Sequence, residues 1–358
     1  MKQISIIAII AATALIPNAD ACTGITLNGT DGTVVAARTI DWSREEMENI
    51  YVIAPRGLVQ KSILPDGNAG GVEFTNKYGY AGLGVEQREF IIDGTNEVGL
   101  SAGLFYFPGY GKYVDYDPQY NDQTLADFQV VSWILAQFST IDQVKAAIKN
   151  VRIVNIDKRA ATVHWRIIEP TGRVTVLEII DGVPHFYDNK VGVLTNAPGF
   201  EWQTTNLNNY VNLQPGTAGP TKLGGDTLTA FGSGSGFLGL PGDMTPPSRF
   251  VRAAFFQNYS IPQTSPARVI QQAFHILNTF DVPLGIQFAA GKAPQNMLSA
   301  TQWTIATDLT HHVIYYHTMY NRTLRSLDMN KIDFDTVAFQ SHPLDANQSE
   351  TILPVTVY

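Results

Sequence analysis

Cys22 is the only cysteine in the 358-residue chain, and it stands directly behind an apolar leader that ends Ala19-Asp20-Ala21. This placement constrains the fold first through what it removes: one thiol forms no internal disulfide, so stability has to come from burying a large apolar core. It also points to chemistry. A cut behind Ala21 would leave Cys22 as the first residue, carrying a thiol and a free α-amine together. The amine can then take the thiol's proton while sulfur attacks an amide carbonyl.

The leader has the form of a secretory signal: Lys2 gives a positive start, Ile4 to Ile16 is apolar and broken by small residues, and Ala19 and Ala21 form a small-x-small cleavage pattern. Residues 1–21 are therefore expected to be removed and residues 22–358 to fold as a single domain. The product is expected to be exported, to a bacterial periplasm. No other stretch is apolar for long enough to span a bilayer, so no stable membrane insertion is expected. Two other readings of Cys22 remain open on the residues alone. One is an inert buried thiol. The other is a lipid-bearing cysteine on a non-catalytic, lipid-anchored or soluble binding protein, although such signals favour a Leu-like residue three before the cysteine and a small uncharged one two before it, where this chain has Ala19 and Asp20.

The formal charge of −8 is unchanged by loss of Lys2 and Asp20, and it is spread without acidic or basic blocks. Nucleic acid is therefore not an expected partner, and an anionic substrate would have to be held by local arginines. Strand signals run from Gly24 to Leu27, Thr33 to Ala37 and Tyr51 to Ala54 around Asn28-Gly29 and Asp31-Gly32 turns, which places Cys22 at the head of a sheet edge. Residues 125–150 read as helical, with Leu125, Phe128, Val131, Leu135 and Phe138 on one face and a second short helix opened by Thr140 and Asp142. Strands return from Thr162 to Thr195, with a hairpin tip at Pro170-Thr171-Gly172. Helices are expected over Pro247 to Tyr259 and Ser265 to Phe280, then strands over Trp303 to Asp308, His312 to Met319 and Arg322 to Leu327. This order predicts an α+β fold, a four-layer αββα sandwich of two stacked antiparallel sheets.

Five separated motifs then carry a resemblance: Cys22-Thr23-Gly24; Arg38-Thr39-Ile40-Asp41-Trp42; Asn96-Glu97-Val98-Gly99-Leu100-Ser101; Leu194-Thr195-Asn196-Ala197-Pro198 with Thr205-Asn206-Leu207; and Leu240-Pro241-Gly242-Asp243 with Ser248-Arg249-Phe250-Val251-Arg252. In this order they resemble the choloylglycine hydrolase family, N-terminal nucleophile hydrolases that include conjugated bile salt hydrolases and penicillin V acylases. The resemblance runs through essentially the whole mature chain. It implies hydrolysis of a linear amide by Cys22, with Arg38, Asp41, Asn196 and Arg249 in the catalytic pocket, and a homotetramer.

Physical roles can be stated for these residues. Arg38 would bring a permanent positive charge to the sulfur and favour thiolate. Asp41 is expected to accept hydrogen bonds from the Cys22 amine and from Arg38; its alternative is a turn residue after a strand. Asn196, expected at the end of a strand from Val191 to Thr195, would donate a side-chain N–H to the oxyanion. Arg252, three residues beyond Arg249, reads as a surface or structural cation. The second oxyanion donor is expected from the segment containing Tyr106, and Trp42 is a candidate pocket wall or core residue.

Other signals carry less. Gly232-Ser233-Gly234-Ser235-Gly236 lacks the following Lys and Ser/Thr of a phosphate loop, and by resemblance belongs to a loop reaching towards neighbouring subunits. His311, His312 and His317 lack an acidic ligand pattern, with the first two expected on opposite strand faces. No metal and no organic cofactor are expected. By resemblance, glycine- or taurine-conjugated bile salts are the first-ranked substrates; penicillin V follows because Tyr106 and Trp42 would stack on its aryl group, and acyl-homoserine lactones suit the same apolar pocket.

Overall fold

The computed structural model describes residues 21–42, 47–156, 161–288 and 300–357. The leader residues Lys2, Ile4 to Ile16, Ala19 and Asp20 lie outside them. In chain order the main strands are β1 (Ala21–Asn28), β2 (Val34–Trp42), β3 (Asn49–Ala54), β4 (Tyr80–Val85), β5 (Ile91–Asn96), β6 (Ser101–Tyr106), β7 (Val163–Ile168), β8 (Val174–Ile180), β9 (Val183–Asp188), β10 (Ala300–Asp308), β11 (Val313–Thr318), β12 (Arg325–Asp328) and β13 (Gln340–Pro343). The helices are α1 (Val130–Gln137), α2 (Ile141–Ala147), α3 (Phe200–Asn206), α4 (Pro246–Tyr259) and α5 (Pro266–Leu277).

Two antiparallel sheets result, one ordered β1-β2-β10-β11-β12 and the other β9-β8-β7-β6-β5-β4-β3-β13. β1 and β2 form a hairpin because Asp31 accepts the Thr33 amide at 3.1 Å and Gly32 adopts φ +89°, a left-handed conformation that costs glycine little. Both helices over the five-stranded sheet start with a proline in the first turn, where a missing N–H costs nothing. α5 buries Val269, Ile270, Ala273, Phe274 and Leu277, spaced as one helical face. On the far side α1, apolar nearly all round, packs against β5 and β6. The order helices, sheet, sheet, helix is the expected αββα sandwich, and one continuous cluster of buried side chains runs through both sheets and the helices.

Several local expectations change. Leu125 does not open a long helix: Thr124–Ala126 is a short strand parallel to Arg152–Val154, and a tight turn over Asp127–Gln129 delays α1 until Val130. Long-range pairing overrides the helical period there. Thr140 does cap α2, accepting the Gln143 amide at 3.2 Å. β2 runs on to Trp42, so Asp41 is a strand residue and not a turn residue. No strand forms over Val191 to Thr195; only Leu194 bridges to Gly24. His311 and His312 sit in the turn before β11, where His312 has φ +57°, and not on opposite faces of a strand.

Candidate active site

Cys22 is the second residue of the edge strand β1, which pairs along one side with β2 and touches Leu194 on the other through two backbone hydrogen bonds at Gly24, 2.7 and 3.0 Å long. Its register partner is Ile40; Gly24 faces Arg38 and Ala21 faces Asp41. Side chains alternate along a strand, so Arg38 and Asp41, three residues apart, leave β2 on opposite faces.

Arg38 points into the space between the sheets. It donates from Nη1 to the carbonyls of Leu104 (2.5 Å) and Ile92 (3.3 Å) and from Nε to its neighbour Thr39 (3.2 Å), with its guanidinium 4.0 Å above the Phe105 ring. Asp93 Oδ2 lies 3.9 Å from Arg38 and 3.7 Å from Arg166, and all three side chains are buried. Two guanidiniums against one carboxylate leave a net positive interior beside the thiol. Gly24 makes room for them, since a Cβ there would lie 2.7 Å from both Arg166 Nη1 and Phe105 Cζ.

Asp41 faces the helical layer, where its Oδ1 accepts the Thr301 hydroxyl at 2.6 Å. The expected hydrogen bond from Arg38 is absent because strand alternation separates the two. The expected one from the Cys22 nitrogen is also absent in the uncut chain: that N–H donates to Asn196 Oδ1 at 2.9 Å.

Asn196 and Arg249 converge on the Cys22 backbone. Arg249 Nη1 donates to the Cys22 carbonyl and to Thr23 Oγ1 (2.9 Å), Nη2 donates to Asn196 Oδ1 (2.8 Å), and Nε donates to the Met244 carbonyl (2.9 Å). Two donors on one amide oxygen fix the amide's orientation, so Nδ2 meets the Tyr106 carbonyl at 2.8 Å and keeps its second N–H in reserve. The segment carrying Asn196 is braced by His164, whose two ring nitrogens lie 3.1 Å from Glu178 Oε1 and 3.1 Å from the Thr195 carbonyl, while Phe107 stacks on the ring at 4.3 Å.

Electrostatics correct one expectation. The Cys22 thiol is pushed up, not down, in the uncut chain: burial dominates, Arg38 and Arg249 pull the other way, and Asp41 adds to the rise. Burial likewise raises Asp41 to about 6, against the opposing pull of Arg249, the Thr301 hydrogen bond and Arg38. The arginines are thus where the motifs place them, but they only offset desolvation.

All five expected polar residues, Cys22, Arg38, Asp41, Asn196 and Arg249, gather at this strand end. Tyr106 and Trp42 are half-buried against the core, and Tyr106 contributes its carbonyl. Arg252 is buried and structural, bonded to the carbonyls of Pro241 and Asp243 at 2.8 and 3.2 Å. Sequence reasoning missed Asp93, His164, Arg166, Glu178 and Thr301. Its available signal for Asp93 and Arg166 was a charge in the middle of an otherwise apolar strand, as in Val163-His164-Trp165-Arg166-Ile167-Ile168. No group of three or more metal-ligating side chains occurs among the described residues.

The chain is also similar to known amide hydrolases. The model of the family described as linear amide C–N hydrolases, choloylglycine hydrolase family, matches residues 22–342, beginning at the cysteine. The chain is 34% identical over 303 residues to a bile salt hydrolase/transferase of Clostridium perfringens, covering 82% of this chain and 88% of that one. It is 25% identical over 299 residues to a penicillin V acylase of Pectobacterium atrosepticum, covering 76% and 71% respectively. A crystal structure of a mutant conjugated bile acid hydrolase from Clostridium perfringens superposes with a TM-score of 0.79 at 31% identity, covering 94% of this chain and all of that one.

Proposed function

The chain belongs to the choloylglycine hydrolase family and is an amidohydrolase acting on linear amides, and on that basis we propose that it deconjugates glycine- or taurine-conjugated bile salts through Cys22. The observation that carries the reading is the convergence of Asn196 and Arg249 on the Cys22 backbone, with Arg38 behind the sulfur. An amide nitrogen is no base, so the peptide bond between Ala21 and Cys22 must be cut first. The freed α-amine then accepts the thiol proton, directly or through water, as Sγ bonds to the substrate carbonyl carbon. Negative charge moves to the carbonyl oxygen, which the spare N–H of Asn196 meets. Collapse breaks the C–N bond, and the α-ammonium returns its proton to the leaving amine. Water adds to the thioester, releasing the acid and restoring the thiol.

Arg249 has a positioning part in this scheme. By holding the Cys22 carbonyl and Asn196 Oδ1 together, it keeps the donor and the nucleophile in one frame. Penicillin V remains the second reading, supported by Tyr106 and Trp42, which are half-buried and able to offer an aryl surface. The leader pattern supports export to a periplasm, with residues 22–358 as one domain. The exposed apolar residues Leu223, Leu228 and Phe231, on and just beyond a projecting hairpin (Thr221–Leu223 with Asp226–Leu228), support assembly into a homotetramer.

The test is amine release from glycocholate, taurocholate and penicillin V side by side, with Cys22→Ser as control. Dominant bile salt cleavage is expected; dominant penicillin V cleavage would reverse the order, and full turnover by Cys22→Ser would remove the nucleophile assignment.

A further inference from the structure

Thr301 is the second residue of β10 and lies directly opposite Asp41. It does so only because the register slips. Trp303 pairs with Ile40, so an uninterrupted antiparallel ladder would set Gln302 opposite Asp41; instead Thr301 takes that place and Gln302 becomes an extra residue. β-Bulges of this kind re-aim side chains beside functional sites.

The hydroxyl so delivered has no freedom in its polarity. Val282, just beyond α5, donates its amide N–H into Thr301 Oγ1 at 2.9 Å, and Thr301 in turn donates to Asp41 Oδ1 at 2.6 Å. A hydroxyl has one proton, and with the amide occupying a lone pair that proton is committed to the carboxylate. Asp41 Oδ2 is buried and meets no hydrogen-bond donor among the described residues. Asp41 is the register partner of Ala21, the residue that leaves when the chain is cut. Before the cut, the single Cys22 N–H is taken by Asn196. After it, the new amine carries additional protons that need an acceptor, and the open carboxylate oxygen is on the neighbouring strand.

We propose that Thr301 is a positioning residue for the hydrolysis: it clamps Oδ1 of Asp41 so that Oδ2 is held ready for the α-amine created at Cys22. The proposal rests on the N-terminal nucleophile reading. The charged groups whose field reaches Asp41 are Arg38 on the opposite face of β2, Arg249 on α4, Cys22 on β1 and Asp281 beyond α5, the last paired with Arg322 at 2.6 Å. The Thr301 hydrogen bond lowers the Asp41 pKa, and Asp281 raises it.

The experiment compares Thr301→Val, which keeps the shape and loses the hydroxyl, with Thr301→Ser, which keeps the hydroxyl. Both are measured as mature enzyme on glycocholate, or on penicillin V if that is the amide cleaved, across pH 4 to 9. Losing a hydrogen bond to a charged group predicts a fall in kcat of about 10- to 100-fold for Thr301→Val. KM should stay within about twofold and the acid limb of kcat/KM should move to higher pH, because only the transition-state geometry and Asp41 are altered. Thr301→Ser should recover most of the rate and the original limb. In an Asp41→Asn background, Thr301→Val should cost nothing more, which keeps the test sharp even if the single variant loses stability. A wild-type pH profile for Thr301→Val, equal losses in Val and Ser, or full additivity with Asp41→Asn would each overturn the proposal. If Cys22→Ser keeps turnover, the parent reading fails instead, whatever Thr301 does.

Discussion

Among individual residues, Arg38 and Asp41 show how one strand serves two faces of the site. They differ by three positions, so the pleat sends one between the sheets and the other under the helices, and both reach the terminus of β1. Replacing Cys22 by Ser should reduce amide turnover by about 10³-fold or more, since a hydroxyl at the same place lacks the thiol's nucleophilicity; amine release checks it. In the proposed mechanism Asp41 acts as carboxylate, so activity should fall as pH drops through its titration. That step should lie below about 6, the value in the uncut chain, because cutting adds a positive amine beside it. A pH profile of kcat/KM on mature enzyme reads this directly. Arg38, Asp41, Asn196 and Arg249 were legible as a set from their motifs, whereas Thr301 was not, because a threonine in a strand carries no signal until a bulge places it.

Among the elements, β1 is an edge strand whose Gly24 has no room for a side chain. Gly24→Ala would put a methyl group 2.7 Å from both Arg166 Nη1 and Phe105 Cζ. Overpacking of this kind typically costs about 1–3 kcal/mol, and here it also presses on the residues around Arg38. Urea denaturation should show the lower midpoint, and kcat should fall with it. The segment before Asn196 illustrates the opposite case. It reads as a strand, yet beyond the single backbone bridge of Leu194 to Gly24 it is held by side chains: His164 with the Thr195 carbonyl, and Asn189 with Gly192 and Val193. Apolar runs report burial reliably, but whether the backbone finds a ladder or a side-chain partner depends on neighbours distant in sequence.

Across the molecule, His317 links α5 to the five-stranded sheet, with its ring 5.2 Å from Phe274 and neither nitrogen hydrogen-bonded among the described residues. Burial, helped by Arg322 and Arg325, drives its pKa down to about 3. The folded state therefore holds this imidazole neutral while the unfolded chain protonates it below its ordinary value of about 6.5. Stability from this group is present above that value and is lost as pH falls towards 3, to the extent of several kcal/mol at most. His317→Phe should flatten the decline of Tm between about pH 6.5 and 4 relative to wild type. The exposed residues Leu223, Leu228 and Phe231 test the proposed tetramer: sedimentation of the wild type should show it, and changing all three to Ser should shift it to smaller species without altering the fold of the core.

The candidate nucleophile, the layer order and the polar residues around the site are all written locally in the chain: a lone cysteine behind an apolar stretch, hydrophobic periods that switch between strand and helix, and short motifs spaced along the sequence. Which of those residues touch is a property of the packed fold alone. Asp41 meets Thr301 across 260 positions and Arg249 meets Cys22 across 227, the first contact fixed by strand register and one bulge, the second by α4 packing on β1. The sign of the thiol's shift belongs to the packed fold too, because desolvation depends on everything gathered around the sulfur and no local motif records it.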